Sequence, residues 1–251
     1  MKTKQMRICG ILLSPYAAEM AENSEKRGKS NERNVLHTMK FTTVFWDFNG
    51  TIADDLELSL DSINRVLEKR SLPLLKTKEE YRRHFRFPIR EYYKSLGLLA
   101  GNEPYKIPAD EWVALYTAGI DDIPLTEGAT EILEFLQNAG VRQIVLSASE
   151  KNMLETQLTS YGIRKYFCEV LGTDDVYGGG KVQIAKKWSK ENSVDMNRAV
   201  LIGDTDHDFD VSLQLGCKCI LFTGGHMDKK RLSECGVTLI DNLNSLAHIL
   251  L

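Results

Sequence analysis

The spacing of apolar residues changes character several times along this chain, and each change marks an element. Residues 40–46 close on a fully apolar run, Val44-Phe45-Trp46, which reads as a buried strand. It delivers Asp47 at its carboxyl end and at once meets the turn-forming pair Asn49-Gly50. Beyond Asp55 a helical period runs to about Glu68. From there to about Asp122 the pattern stays helical but broken. Lys78 to Arg83, Arg90 to Ser95 and Ala109 to Thr117 read as short amphipathic helices, separated by Pro73, Pro88, Gly97, Gly101, Pro104 and Pro108.

Strands and helices then alternate. Thr126 to Ala139 reads as a helix with Thr126 as its N-cap and Gly140 as its stop. Val141 to Leu146 is a strand ending in Ser147, followed by a helix from Lys151 to Tyr161. Glu169 to Leu171 is a short strand, and Lys181 to Lys190 a helix opened by three glycines. Ala199 to Ile202 runs as a strand into Gly203-Asp204, ahead of a helix from Asp208 to Leu215. Strands at Cys219–Phe222 and Val237–Ile240 and a helix over Leu243–Leu251 complete the chain.

Alternation of this kind predicts an α/β fold, a doubly wound parallel sheet with helices on both faces. Residues 39–54 and 124–251 make that core, and residues 55–123 an inserted α-helical domain. Residues 1–38 are unlike the rest. Ala21 to Asn34 is charged and without period, which predicts a disordered extension. A weakly apolar stretch, Ile8 to Ala18, follows Lys2, Lys4 and Arg7, but Ser14 and Pro15 interrupt it as a signal peptide core. Met39 stands just ahead of the first strand, so translation is expected to begin there.

A length of 251 residues suits one α/β domain with an insertion, or two small domains. The net charge of −3 gives no general attraction to nucleic acid or membrane, and no apolar run approaches the ~18 residues of a membrane span. Five cysteines without a CxxC pair predict a reduced, cytoplasmic protein with free thiols. Cys217 and Cys219 are expected on one face of a strand as small buried side chains.

Four signals fall at strand ends or helix starts, where open α/β sheets bind ligands. Asp47 follows the first strand, with Gly50 and Thr51 in its turn. Ser147 and the backbone of Ala148 follow the second; alone, Ser147 reads as a routine helix cap. Lys181 opens a helix, a placement slightly unfavourable for a cation and so suggestive of a purpose. Asp204 and Asp208 end the stretch Gly203-Asp204-Thr205-Asp206-His207-Asp208, a carboxylate pair suited to a hard cation. Asp206 and Asp210 read as surface charges.

In this order the four signals resemble the haloacid dehalogenase (HAD) superfamily, whose first motif is Asp-x-Asp-x-Thr, over about residues 41–251. The insertion resembles the helical cap of the phosphoglycolate phosphatase-like branch. The resemblance implies a Mg²⁺-dependent phosphohydrolase. Asp47 would attack phosphorus and form an aspartyl-phosphate, Thr51, Ser147 and Ala148 would hold phosphate oxygens, and Lys181 would neutralise nucleophile and phosphate. Asp47, the backbone carbonyl of Asn49, Asp204 and Asp208 would hold the metal. The implied ligand is a small phosphorylated metabolite, with the protein a monomer or small homo-oligomer.

One position departs from that pattern. Asn49 stands where the resembled phosphatases carry the aspartate that protonates the leaving group and then activates water, help worth typically ~10²–10⁴-fold. Three readings follow: a phosphohydrolase for good leaving groups or with another acid, such as His207; a phosphonatase-like enzyme using a cap lysine (Lys69, Lys76, Lys78 or Lys94); or a slow or inactive phosphate-binding protein. Asn-Gly is also prone to deamidation, which would create an aspartate at 49. In the cap, Arg82, Arg83, Arg86 and Arg90 cluster around a Phe-Pro bend, and Arg86 is expected to meet an anionic substrate. The Gly224-Gly225-His226 loop is expected to border the site.

Overall fold

Six strands carry the core of this computed structural model: β1 (Thr43–Trp46), β2 (Arg142–Glu150), β3 (Glu169–Thr173), β4 (Ala199–Gly203), β5 (Lys218–Phe222) and β6 (Thr238–Ile240). They pair in the order β3-β2-β1-β4-β5-β6, every neighbouring pair parallel. The structure describes residues 39–173 and 181–251, and before them only a two-residue antiparallel pairing of Arg7–Ile8 with Ile11–Leu12. The expectations of a disordered extension and of a glycine run admitting Lys181 lie outside the described residues.

The strand order reverses direction between β1 and β4, the place where doubly wound sheets open a binding crevice. Trp46 lies level with Val145 on one side and with Ile202 on the other. Asp47 and the end of β4 therefore leave the sheet side by side.

The helices are α1 (Leu56–Glu68), α2 (Lys78–His84), α3 (Ile89–Ser95), α4 (Lys106–Ala118), α5 (Ala129–Asn138), α6 (Lys151–Ser160), α7 (Lys181–Glu191), α8 (Asp206–Leu215), α9 (Lys229–Glu234) and α10 (Leu246–Ile249). Alternate residues of β1 face opposite layers, as a pleated strand requires. Val44 and Trp46 pack with Ile132, Leu136 and Leu154 from α5 and α6. Phe45 packs with Val182, Ala185 and Val211 from α7 and α8.

Helices α1 to α4 form the insertion, with their own cluster around Leu56, Ile63, Leu67, Tyr81, Phe85 and Tyr92. Trp112 touches both this cluster and the sheet's, and stacks on Tyr116 with ring centroids 4.8 Å apart.

Several boundaries differ from the sequence expectation. Thr126 does not cap α5. The helix starts at Ala129 behind Gly128, at φ 83°, and the Thr126 backbone instead donates to the Ile52 carbonyl at 2.8 Å. Strand β2 continues past Ser147, and Glu150 caps α6 by accepting from Asn152 and Met153 N–H at 2.9 Å each. Helix α4 takes in Pro108 near its start, where the ring costs no intrahelical bond. Cys217 precedes β5, so only Cys219 of that pair sits within the strand. Among the described residues Cys168, Cys217, Cys219 and Cys235 are free thiols, and no helix is long and apolar enough to cross a membrane.

Candidate active site

Gly50 shapes the loop after β1. Its φ is +73°, and a Cβ there would lie 2.5 Å from both Asp204 Oδ2 and His226 Cδ2. Only glycine accepts that backbone at that distance. The turn brings Thr51, fully buried, back to the carboxyl end of β4, where its hydroxyl donates to Asp204 Oδ1 at 3.1 Å.

Asp47, Asp204 and Asp208 converge at the switch point, one oxygen from each lying within 4.8 Å of the others. Lys181 sits among them, 4 % exposed, and donates from Nζ to Asp47 Oδ1 and to Asp208 Oδ1, both at 2.7 Å. Among the described residues nothing donates to the other Asp47 oxygen, Oδ2. Asp208 Oδ2 is held by Thr205, whose hydroxyl donates at 2.7 Å and whose N–H donates at 3.1 Å, in a capping box that opens α8.

Three buried carboxylates around one lysine set the electrostatics. Burial and the Asp208 charge push the Asp47 carboxyl well above its ordinary range, against the pull of Lys181. Burial likewise raises Asp204 to about 6, with His226 opposing it. Burial works on Asp208 in the same direction, but the Lys181 charge and hydrogen bond hold it below the ordinary value. Lys181 is itself raised: burial acts to lower it, and Asp208 and Asp47 more than reverse that. The cluster carries more negative than positive charge and its oxygens converge, so it fits a divalent cation.

Beside this cluster lies a second buried network. Asp55, 2 % exposed, opens α1. Its Oδ1 accepts from Gly50 N–H at 2.7 Å and faces His226 Nε2 at 3.0 Å; its Oδ2 accepts from Asn49 Nδ2 at 3.0 Å and from the Tyr116 hydroxyl at 2.8 Å. The Asn49 amide also donates to Tyr116 Oη, while Asn49 Oδ1 accepts from Ser149 Oγ at 3.1 Å. His226 Nδ1 lies 3.0 Å from the Tyr81 hydroxyl of α2, and the His226 backbone N–H donates to Asp204 Oδ2 at 2.6 Å. Gly50 N–H is thus engaged, which opposes the deamidation that an Asn-Gly pair invites.

Burial acts to lower the His226 pKa, but Asp55 reverses this and raises it to about 9. Burial acts to raise Asp55, yet His226 holds it down at about 2. The pair is charged at neutrality. A histidine raised in the folded state adds stability that is complete below its ordinary pKa of ~6.5 and is lost as pH rises through about 9. Wild-type protein is therefore expected to lose melting temperature between about pH 6.5 and 9.5, and His226→Gln to lose less over the same range. Parallel thermal curves for the two proteins would refute it.

The structure brings Asp47, Asn49, Thr51, Ser147, Lys181, Asp204 and Asp208 into one crevice. Ser147 accepts from Ser149 N–H and donates to Ser149 Oγ, both at 3.1 Å, joining it to Asn49. Ala148 directs its carbonyl to Thr173 Oγ1 at 3.1 Å. Arg86 folds back on its own loop, Nε donating to the His84 carbonyl at 3.0 Å. The arginine that crosses to the core is Arg82, which donates to Gly225 O at 2.8 Å and Gly224 O at 2.6 Å. Arg82→Ala is accordingly expected to raise the KM of an anionic substrate at least about tenfold by freeing the loop that holds Asp204, with Arg86→Ala within about twofold of wild type. Steady-state kinetics of the two variants decide it, and the reverse ranking would return the role to Arg86.

Asp206 is not a simple surface charge: it pairs with Arg231 Nη2 at 2.6 Å, and Arg231 reaches Phe85 O of the insertion at the same distance. His207 stacks on Phe87 with centroids 4.6 Å apart, and burial pulls its pKa down. None of the four cap lysines enters the crevice; Lys69, Lys78 and Lys94 are 57, 42 and 69 % exposed and pair with Glu111, Glu57 and Glu91, and Lys76 is exposed. Asp55, Ser149, Tyr116 and Tyr81 were missed by the sequence reading. The doubled Asp54-Asp55 after the motif was the one local signal for any of them.

A doubly wound sheet with an acid cluster at its switch point and a helical insertion after β1 defines the class. The sequence model of the haloacid dehalogenase-like hydrolase family matches residues 44–222, and the chain belongs to that family. It is 24 % identical over 203 residues to phosphoglycolate phosphatase of Caulobacter vibrioides, covering 78 % of this chain and 85 % of the relative. A predicted phosphoglycolate phosphatase from Haemophilus somnus has a similar structure, with a TM-score of 0.66 at 16 % identity, covering 84 % of this chain and 99 % of that one. CbbY of Rhodobacter sphaeroides, in a mutant form with xylulose-1,5-bisphosphate bound, gives a TM-score of 0.60 at 20 % identity, covering 80 % of this chain and 94 % of the other.

Proposed function

We propose that this chain is a Mg²⁺-dependent phosphohydrolase acting on a small organic phosphate through an aspartyl-phosphate at Asp47, with residues 55–123 as its cap domain. The observation that carries the reading is the convergence of Asp47, Asp204 and Asp208 around Lys181 at the sheet's switch point. Asp47, Asp204 and Asp208 would hold the cation, with the Asn49 backbone carbonyl beside them. When bound, Mg²⁺ offsets the repulsion between these carboxylates and an incoming phosphate.

The chain's own residues supply the rest. Lys181 fixes Asp47 through Oδ1, which leaves Oδ2 to attack phosphorus. Ser147 and the backbone around Ala148 would hold phosphate oxygens, and Thr51 keeps Asp204 aimed at the cluster. The insertion closes one side through Tyr81 and Arg82, and Arg231 of the core meets it at Phe85 O, so substrate beyond the phosphate would be read there. The relatives' names point to phosphorylated small metabolites as ligands, and the free thiols suit a reducing cytoplasm.

Removing divalent metal is expected to abolish phosphate release and lower the melting temperature, both restored by excess Mg²⁺. A panel of phosphate esters and acyl phosphates, with and without chelator, tests this; release that survives chelation would end the metal-dependent reading. The locked Asn49 amide favours one alternative, a slow or non-catalytic phosphate-binding protein on the same fold. Saturable phosphate-ester binding without turnover would select it.

A further inference from the structure

The orientation of the Asn49 amide is fixed by its neighbours. Asp55 offers only acceptor oxygens, so the amide atom 3.0 Å from its Oδ2 is the NH₂ group. Tyr116 gives its proton to Asp55 and so can only accept from the same NH₂. The amide carbonyl then faces Ser149 Oγ at 3.1 Å, on the Ser147 side of the crevice. An aspartate at 49 would set a second carboxylate against the Asp55 oxygen that now accepts from the amide, two like charges at hydrogen-bond distance.

We propose that Asp55 is a positioning residue matched to Asn49. It turns the amide so that position 49 presents a carbonyl and no hydrogen-bond donor to the leaving oxygen, and it thereby selects acyl phosphates and phosphoanhydrides over alkyl phosphates. The proposal rests on the phosphohydrolase reading above. In the first step an Asp47 oxygen bonds to phosphorus as the bond to the leaving oxygen breaks. The electron pair departs with that oxygen, which is stable as a carboxylate or phosphate anion and needs no proton; an alkoxide would need one. In the second step water attacks phosphorus, the Asp47–phosphorus bond breaks, and the water's surplus proton passes to the phosphate released or to solvent. The Asn49 carbonyl orients that water without taking its proton.

Wild type, Asn49→Asp, Asp55→Asn and the double exchange Asn49→Asp/Asp55→Asn would be compared on fresh protein with Mg²⁺. Two readouts are taken: kcat/KM against leaving-group pKa, from acetyl phosphate to simple alkyl phosphates, and melting temperature. Wild type is expected to favour acetyl phosphate by about 10²-fold or more. Asp55→Asn is expected to flatten that dependence, because the amide is then free to turn its NH₂ to the crevice. At about pH 7.5 Asn49→Asp alone is expected to melt about 5 °C lower. In the Asp55→Asn background, which has its own cost from the unpaired His226, Asn49→Asp is expected to cost less melting temperature than it does in wild type, and the double exchange to raise alkyl phosphate turnover about 10²-fold over wild type. The proposal is overturned if Asn49→Asp melts with wild type and gains alkyl phosphate activity as fully as the double exchange, or if wild type shows no leaving-group preference. Should none of the four proteins release phosphate, the phosphohydrolase reading falls, while the melting cycle still decides whether positions 49 and 55 are matched.

Discussion

Asp47→Asn is expected to reduce phosphate release by at least about 10⁴-fold while leaving the fold intact. The amide keeps the shape of the carboxylate but has no charged oxygen to attack phosphorus. The structure also predicts the sign of the stability change. Burial and Asp208 make the charged Asp47 costly, so replacing it with a neutral group should leave metal-free protein as stable as wild type or more so. Lys181 keeps its 2.7 Å contact to Asp208. Phosphate release and melting curves on the same preparation check both halves. Turnover persisting in the variant would take the nucleophile's role from Asp47, and a large fall in melting temperature would mean that the activity loss was structural.

The second large effect is expected at Lys181→Met. Methionine fills the space of the stem but leaves Asp47 and Asp208 without their cation. Breaking a buried ion pair from one side costs roughly 3–5 kcal/mol, a drop of about 10 °C in a chain of this size. The pH signature follows from Asp208. Its lowered pKa contributes stability that is present above its ordinary value near ~3.9 and is lost as pH falls through its lower, folded value. Without Lys181 that support disappears, so the variant's deficit should be largest at neutral pH and shrink in acid. Added Mg²⁺ should recover part of the melting temperature without restoring turnover. Thermal curves at about pH 3 and pH 7.5, with and without Mg²⁺, test this. A variant as stable as wild type at the higher pH would show that the lysine does not hold the cluster together.

Most of the fold was legible because the sheet is buried on both faces. Runs such as Val44-Phe45-Trp46 and Val200-Leu201-Ile202 leave little choice but a covered parallel strand. Asp47, Lys181, Asp204 and Asp208 were legible for a related reason: each stands where such a strand ends or a helix begins, and their order carried the resemblance. Asp55, Tyr116, Tyr81 and His226 were not read as one site because tertiary packing alone assembles them, from α1, α4, α2 and the loop after β5. Arg82 and Arg86 show the limit more sharply. Both lie by the Phe-Pro bend, and only the path of the backbone decides which guanidinium crosses to the core. Thr126 failed as a cap because the return of the insertion to the loop after β1 claims its backbone first.

The place of β1 in the sheet has a consequence for how the chain is made. It is the first core strand to leave the ribosome, yet it ends in the middle, beside β2 from about 100 residues later and β4 from about 150 residues later. At roughly 5–20 residues per second, β1 waits roughly 8–30 seconds for its second neighbour. The insertion, with a cluster of its own, is complete well before that. The β3-β2-β1 half-sheet, by contrast, holds a bare apolar edge until Ala199–Gly203 emerges. A nascent chain halted just short of Ala199 presents that apolar edge to its neighbours.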